Sequence, residues 1–215
     1  MLKIYGGDLS GPSNKVRFVA NYLNLPYEYQ LVSIRDGDNR KPEYLKLHPA
    51  GKIPAIDDGG FVLFESNAII RYLSHADGAA IYPADPQKRA VVDQWVDFVS
   101  FHVGGGVDRV LYNRVFVKFI GVEPDERSVQ DGLSFLGRFL PIIEAQLNKH
   151  AYVAGPDMTL ADFCLLSVLD PVEIAGIDVS KYPAIVSWRK KLKEQEFYTK
   201  CFKAYGERLK QFNQK

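Results

Sequence analysis

The chain has 215 residues, of which 47% are apolar and 13% aromatic, enough to form the core of one large domain or two small ones. Its 27 basic and 26 acidic side chains nearly cancel, and without a long basic run a nucleic-acid partner is not expected. No apolar stretch approaches the roughly 18 residues of a membrane span, and the N-terminus lacks a basic segment followed by an apolar one. We therefore expect a cytoplasmic protein that does not enter membranes.

The first 77 residues alternate between strand and helix patterns. β-branched and aromatic runs predict strands, and apolar residues at helical spacing predict helices. In chain order these are a strand LKIYG, a helix KVRFVANYLNL, a strand YEYQLVSI, a helix PEYLKL, strands IPAID and FVLF joined by a DGG turn, and a helix in FESNAIIRYLSHA with Ser66 as its N-cap. This order predicts an α/β domain over residues 1–77, with a small mixed sheet flanked by helices.

The rest of the chain has helical patterns only. Residues 78–87 contain two prolines and little periodicity, as expected of a linker. Residues 88–215 predict an all-α domain with helices in KRAVVDQWVDFVSFHV, SVQDGLSFLGRFLPIIEAQL, TLADFCLLSVL, PAIVSWRKKLK and EFYTKCFKAYGERLKQF. The triplet Gly104-Gly105-Gly106 predicts a kink or local opening, because glycine costs about 1 kcal/mol relative to alanine in a helix. Thr159 and Asp162 predict a capping box with a role in stability.

The two cysteines do not indicate a redox or metal site. Cys164 and Cys201 are far apart in the sequence, and neither belongs to a C-x-x-C motif or lies near a pair of histidines. We therefore expect buried thiols and no metal.

Three short motifs in the first domain are candidates for a ligand site, and the first is Ile53-Pro54. One interpretation is an ordinary proline at the start of a strand. The other is a cis peptide whose bend leaves the N–H and C=O groups of Ile53 free to pair with an extended peptide ligand. The residues alone leave both interpretations open.

The second motif is Glu65-Ser66, at the beginning of the third predicted helix. Unpaired N–H groups and the helix dipole favour an anion there, and Glu65 beside them suits an ammonium group. An amino-acid end of a ligand has both charges. The alternative is a helix cap with an acidic neighbour.

The third motif is the tetrad Ser10-Gly11-Pro12-Ser13, between the first strand and the first helix. It resembles the C-G-P-C of dithiol oxidoreductases with hydroxyls in place of the sulfurs. Pro12 suits the first turn of a helix, so either serine is a candidate cap. Ser10 also lies where a hydroxyl could donate to a sulfur beside the helix N-terminus.

Together these motifs resemble the cytosolic glutathione transferases over the whole chain. LHPAGKIPAIDDGGFVLFESNAIIRYL resembles that family's glutathione-binding segment, with His48 where the family usually has asparagine, and DMTLADF resembles its capping motif. The resemblance implies a thioredoxin-like N-terminal domain and an all-α C-terminal domain. The catalytic group of the serine-type branches (theta, delta and phi) stands six residues before a valine, as Ser10 stands before Val16.

The resemblance also implies the site residues. It gives Ser10 the catalytic role, with Ser13 as the weaker candidate, and glutathione as co-substrate. Its glutathione-binding positions correspond to Asn39, Arg40, Lys52, Ile53, Pro54, Glu65 and Ser66. Asn39 and Arg40 replace the histidine and lysine of phi-like members, which makes Lys52 the better candidate for the glycine carboxylate.

A second substrate, a small hydrophobic electrophile, is expected to bind between the domains. Candidate residues for its pocket are Ser13, Val103, Arg109, Tyr112 and Phe116, although aromatic residues at helical spacing also suit a core. The family resemblance implies a homodimer formed through the third helix of the first domain and the long helix of the second.

Conjugation of glutathione to an electrophile is one of three functions open to such a chain, since a fold does not determine a function. A glutathione-dependent peroxidase, dehalogenase or isomerase is the second, and the isomerase branch usually has Ser-Ser-Cys where this chain has Ser10-Gly11-Pro12. A non-catalytic glutathione-binding protein is the third.

Overall fold

The computed structural model describes residues 1–75 and 80–201, which fall into two compact units. The first comprises residues 1–82 together with the segment that begins at Gln195, and the second comprises residues 83–194. Each unit is described separately below.

The first unit contains the predicted β-α-β-α-β-β-α order. Its elements are β1 (Leu2–Gly6), α1 (Gly11–Tyr22), β2 (Tyr27–Leu31), a 3-10 turn (Asp38–Arg40), α2 (Pro42–Leu45), β3 (Ala55–Asp58), β4 (Phe61–Phe64) and α3 (Ser66–Leu73). The prediction of an α/β domain is therefore confirmed. The second strand is shorter than predicted, and the third begins only after Pro54. The last residue of the helix predicted in FESNAIIRYLSHA, Ala76, lies outside the described residues.

The four strands form one mixed sheet in the order β2-β1-β3-β4. β1 pairs in parallel with β2 through the α1 crossover, and antiparallel with β3, with Ile4 opposite Ile56. Both isoleucines are fully buried. Because β1 and β3 run in opposite directions, the end of β1 and the start of β3 lie at the same edge of the sheet. The segments that follow Gly6 and precede Ala55 are thereby brought together.

Residues 195–201 group with the first unit, whereas the sequence analysis assigned them to the second domain. Helix α10 (Glu196–Thr199) packs on α1, where the ring of Phe18 lies 6.0 Å from Phe197 and 5.3 Å from Tyr198, centroid to centroid. The guanidinium of Arg17 donates to the carbonyl of Cys201 at 2.9 Å and pairs with Asp8 at 3.0 Å. The remainder of the last predicted helix lies outside the described residues.

The described part of the second unit is helical, so the prediction of an all-α second half is confirmed. Its elements are α4 (Pro86–Phe98), a π-helical segment (Val99–Gly104), α5 (Gly105–Leu111), a second π-helical segment (Tyr112–Phe116), α6 (Val117–Ile120), α7 (Glu126–Leu147), α8 (Leu160–Leu169) and α9 (Pro183–Lys193). Across residues 1–75 and 80–201, no helix has both the length and the apolarity that crossing a membrane requires.

The start of α8 has the predicted capping box, with Thr159 as N-cap and Asp162 at the third helical position. The buried carboxylate of Asp162 accepts hydrogen bonds from the N–H groups of Thr159 (2.8 Å) and Val153 (3.0 Å), and from the indole of Trp188 (3.1 Å). It therefore ties the loop before α8 and helix α9 to the start of α8, which is a structural role.

Two glycines set the close approach of α5 and α7. A Cβ atom on Gly132 would lie 2.8 Å from the carbonyl oxygen of Gly106, and one on Gly106 would lie 2.9 Å from Cγ of Leu136. A π-helical segment ends at Gly104 and is followed directly by α5, and the predicted kink or local opening stays a prediction. Gly106, however, serves close helix packing, which the glycine triplet did not predict.

Replacing Gly132 by alanine is expected to lower the free energy of unfolding by about 1–3 kcal/mol, because the added methyl group overlaps the neighbouring helix. Gly137 is the matched control. It lies in the same helix, is exposed, and has nothing within 4 Å of an added Cβ atom. Gly137→Ala is expected to raise the free energy of unfolding by about 0.5–1 kcal/mol. Urea unfolding of both variants measures the difference, and equal stabilities would contradict the packing role.

Candidate functional site

Ser10 is the N-cap of α1. Its backbone is extended, with φ −90° and ψ 110°, and its side-chain oxygen accepts a hydrogen bond from the N–H of Ser13 at 3.2 Å. The side chain is partly exposed, whereas most of α1 is buried. The capping role that the sequence allowed is thus present, and it leaves the Ser10 hydroxyl accessible at the positive end of the helix dipole.

Ser13 lies beneath Ser10 and is fully buried. Its hydroxyl accepts a hydrogen bond from the N–H of Gly7 at 3.3 Å and donates one to the hydroxyl oxygen of Ser10 at 3.0 Å. The Ser13 side chain does not reach the surface, so neither its predicted contact with the thiol nor its predicted place in the second-substrate pocket gains support from this structure. The sequence analysis predicted neither the burial of Ser13 nor its hydrogen bond to Ser10. The S-x-x-S spacing was the available signal, because the residue three positions after an N-cap is typically within hydrogen-bonding distance of it.

The peptide bond between Ile53 and Pro54 is cis, so of the two interpretations left open by the sequence the structure has the cis one. Within the described residues, the N–H and C=O groups of Ile53 have no hydrogen-bond partner. The side chain of Ile53 lies against Gly7, with its Cδ1 atom 3.0 Å from the position of a Cβ atom there. Ile53 therefore adjoins the turn that leads to Ser10.

The loop before Ile53 is held by two side chains. The hydroxyl of Tyr44 donates to the carbonyl of Lys52 at 2.7 Å, and the amide nitrogen of Asn39 donates to the carbonyl of Gly51 at 2.6 Å. Asn39 is thus engaged in positioning the loop, whereas the side chains of Arg40 and Lys52 are exposed. The two cations are therefore accessible to an anionic group.

Glu65 introduces α3 with an unusual backbone, with φ 68° and ψ 108°. The chain turns sharply at this residue, so Ser66 already has helical geometry and Glu65 occupies the N-cap position; the prediction of Ser66 as the N-cap is wrong by one residue. The first backbone bond of α3 runs from the N–H of Ile69 to the carbonyl of Glu65 at 2.9 Å. The backbone N–H groups that precede Ile69, in the first turn of α3, therefore point out of the N-terminus of this helix. They lie beside the exposed carboxylate of Glu65.

A buried cation joins the beginnings of the two helices. The ammonium group of Lys15 in α1 donates to the side-chain oxygen of Asn67 in α3, and Lys15 is only 5% exposed. The N-terminal turns of α1 and α3 are thereby held side by side. Sequence patterns did not single out either residue, because each lies one or two positions beyond a motif.

His48 supports the strand that leads to Glu65. It is 3% exposed, and its ring lies 4.7 Å from the ring of Phe64, centroid to centroid. Burial lowers the pKa of His48, and Lys52 lowers it further, while Glu65 opposes the shift. Burial therefore favours the neutral imidazole, which packs behind the Glu65 turn.

The residues predicted to contact a second substrate lie in the helical stretch from Val103 to Phe116 in the second unit. Val103 is fully buried, so its predicted place in that pocket gains no support from this structure. Tyr112 is 48% exposed, Phe116 is partly exposed, and the guanidinium of Arg109 lies 5.6 Å from the ring centre of Phe135. Arg109, Tyr112 and Phe116 have accessible side chains.

Two family models match this chain. The model for the glutathione S-transferase N-terminal domain matches residues 10–76, and the model for the C-terminal domain matches residues 80–196. The chain belongs to the glutathione S-transferase family. The resemblance inferred from the sequence motifs is therefore confirmed, including the thioredoxin-like N-terminal domain and the helical C-terminal domain, and the protein is a glutathione transferase.

Similar proteins match the transferase over most of its length. Glutathione S-transferase D7 of Drosophila melanogaster is 31% identical over 192 residues, which cover 88% of this chain and 83% of that protein. The structure of glutathione transferase E6 from the same organism is 34% identical, with a TM-score of 0.85 over 100% of this chain and 97% of the other. The structure of a glutathione S-transferase-I bound with lactoylglutathione is 25% identical, with a TM-score of 0.84 over 93% and 97%.

The family uses glutathione as a substrate. Across residues 1–75 and 80–201, no group of three His, Cys, Asp or Glu side chains is placed to hold a metal ion. Cys164 and Cys201 are buried, and no disulfide joins them.

Two substitutions of Glu65 separate the effect of its backbone conformation on stability from the effect of its carboxylate on glutathione binding. Glu65→Gly removes an unfavourable positive φ, whereas Glu65→Ala retains it. We expect the glycine variant to have the higher free energy of unfolding, by about 1 kcal/mol. Both variants lose the carboxylate and are expected to bind glutathione roughly 10-fold or more weakly.

Urea unfolding and isothermal titration calorimetry with glutathione measure these two effects. A glycine variant less stable than the alanine variant would contradict the strain at Glu65. Unchanged affinity in both variants would exclude Glu65 from the binding site.

Proposed function

We propose that the transferase joins the sulfur of glutathione to small hydrophobic electrophiles, with the Ser10 hydroxyl as the donor that stabilises the thiolate. The observation that carries this proposal is the position of Ser10, a partly exposed N-cap whose oxygen already accepts from Ser13 N–H. A hydroxyl at a helix N-terminus is suited to an anion.

Glutathione would lie extended along the edge where β1 ends and β3 begins. Its γ-glutamyl end would meet the Glu65 carboxylate and the N–H groups at Ser66, and its cysteinyl backbone would pair with Ile53 beside Pro54. This arrangement is supported by the exposed carboxylate at the start of α3 and by the unpaired N–H and C=O groups of Ile53.

The glycine carboxylate of glutathione would meet Lys52, with Arg40 as a second cation. Both side chains are exposed, and the loop that presents Lys52 is fixed by the bond from Asn39 to Gly51. Asn39 would therefore contribute by positioning the loop, and the two cations would contribute the charge.

The magnitudes are sufficient for catalysis at neutral pH. A free thiol with a pKa of about 8.5 is only a few per cent ionised at pH 7, and the thiolate is the nucleophile. A hydrogen bond to a charged group contributes roughly 1.5–3 kcal/mol and a helix dipole about 0.3–1 kcal/mol, together about one to three pKa units. The thiol proton leaves to solvent, the thiolate forms a carbon–sulfur bond, and the electrophile releases its leaving group or accepts the electron pair.

The electrophile would contact Arg109, Tyr112 and Phe116. These side chains combine accessible aromatic surface with one cation, which suits small hydrophobic molecules that carry an electron-withdrawing group. The burial of Cys164 and Cys201 without a disulfide supports a reducing compartment such as the cytoplasm.

Replacing Ser10 by alanine tests the catalytic role. With 1-chloro-2,4-dinitrobenzene as electrophile, kcat/KM for conjugation is expected to fall by roughly 10–100-fold, because the hydrogen bond to the thiolate is lost. The affinity for S-methylglutathione, which has no thiol, is expected to change little. Ser10→Thr keeps the hydroxyl and is expected to retain more activity than Ser10→Ala.

Loss of a helix cap is a separate effect and needs its own control. The side chain of Asp85 caps α4 by accepting from the N–H of Lys88 at 2.9 Å. Asp85→Ala is expected to lose about 1 kcal/mol of stability, as any lost cap does, with full activity. Equal activity in Ser10→Ala and Asp85→Ala would exclude Ser10 as the donor.

A hydroperoxide assay run in parallel distinguishes the alternatives. Turnover of hydroperoxide without conjugation would identify a glutathione peroxidase. Glutathione binding without either reaction would identify a non-catalytic binding protein.

We also propose a homodimer that uses α3. The Tyr72 side chain on this helix is 38% exposed, and its ring lies 5.0 Å from that of Phe61, which is 50% exposed. The two rings form an apolar surface on the first unit that a second copy could cover.

Tyr72→Glu is expected to convert the dimer into a monomer, because it places a charge in that apolar surface. Val122→Glu is the control, since Val122 is 53% exposed and lies outside both α3 and the long helix of the second domain. Light scattering after size-exclusion chromatography measures both masses. A dimeric Tyr72→Glu variant would contradict the use of this surface.

A further inference from the structure

We propose that Ser13 is a positioning residue that fixes the direction of the Ser10 hydroxyl, so that this hydroxyl acts only as a donor toward the glutathione sulfur. The inference deepens the proposed function and rests on Ser10 as the group that contacts the sulfur. Ser13 itself is fully buried and does not touch substrate.

The argument begins with the bonding capacity of a hydroxyl, which has one proton and two lone pairs. The oxygen of Ser10 accepts from the N–H of Ser13 at 3.2 Å and from the hydroxyl of Ser13 at 3.0 Å. Both lone pairs are therefore used inside the protein. The proton of Ser10 is the one part of the hydroxyl left to bind a ligand.

The direction of the Ser13 proton is itself determined by Gly7. The N–H of Gly7 donates to the Ser13 oxygen at 3.3 Å, which leaves the Ser13 proton to bond to Ser10. The three groups form a chain, Gly7 N–H to Ser13 O–H to Ser10 O–H, in which each bond polarises the next.

The backbone at Gly6 holds Ser13 in this position. A Cβ atom on Gly6 would lie 2.8 Å from both Cβ and Oγ of Ser13, so the serine packs into space that only a glycine leaves. The Ser13 side chain is therefore confined, and its hydroxyl cannot turn away from Ser10 without leaving a packed position.

A hydroxyl that can only donate discriminates between the two forms of the glutathione sulfur. A thiolate is a strong acceptor, whereas a neutral thiol is also a weak donor that a freely rotating hydroxyl could accept from. By occupying the lone pairs of Ser10, Ser13 removes the arrangement that favours the neutral thiol. The thiolate is thereby stabilised relative to the thiol, although Ser13 acts on the sulfur only through the hydroxyl of Ser10.

The test is the pKa of the thiol of glutathione bound to the full-length protein, measured from thiolate absorbance as a function of pH. Ser13→Ala is expected to raise this pKa by about 0.5–1 unit, because one polarising bond is lost. Ser13→Cys, with a similar size and a weaker donor, is expected to give an intermediate value. Affinity for S-methylglutathione is expected to stay the same in both variants.

A double-mutant comparison separates positioning from a purely structural effect. In the Ser10→Ala background no hydroxyl remains to be directed, so Ser13→Ala is expected to cause no further change in the thiol pKa. An equal change with and without the Ser10 hydroxyl would overturn the inference, as would an unchanged pKa in Ser13→Ala and Ser13→Cys.

Failure of the inference is distinguishable from failure of the proposed function. If Ser10→Ala raises the thiol pKa and Ser13→Ala does not, Ser10 remains the donor and only the role of Ser13 is lost. If Ser10→Ala leaves the thiol pKa unchanged, Ser10 is not the donor, and both conclusions fall together.

Discussion

The antiparallel pairing of β1 with β3 is the constraint on which the rest of the candidate site depends. It places the turn after Gly6 beside the segment that contains Ile53, and the side chain of Ile53 packs directly against Gly7. Two segments that are 46 residues apart in the sequence thus form one edge. Lys15 and Asn67 then align the start of α3 with the same edge.

Two residues of the candidate site have a backbone conformation or a degree of burial that their side chains disfavour. Glu65 has a positive φ that L side chains rarely adopt, and Lys15 is a cation that is almost fully buried. Both are maintained by neighbouring structure, Glu65 by the strand that His48 supports and Lys15 by its bond to Asn67. Such departures from local preference are typical of functional sites.

The sequence predicted the order of elements in the first unit and the helical second half, because turn residues and apolar periodicity are local signals. It also singled out Ser10, Ile53 and Glu65, which lie at the junctions of those elements. It did not predict the burial of Ser13 or of Val103, since burial depends on which face of a helix meets a distant neighbour. The contact of α10 with α1 was missed for the same reason, because it joins the two ends of the chain.

That contact links residues that are 184 positions apart. Arg17 binds the carbonyl of Cys201 in the last described turn and, through the same guanidinium, the carboxylate of Asp8 in the turn before Ser10. One buried cation therefore joins the turn before Ser10 to residue 201. A substitution that displaces the backbone of Cys201 can therefore shift the turn before Ser10 without any mutation in that turn.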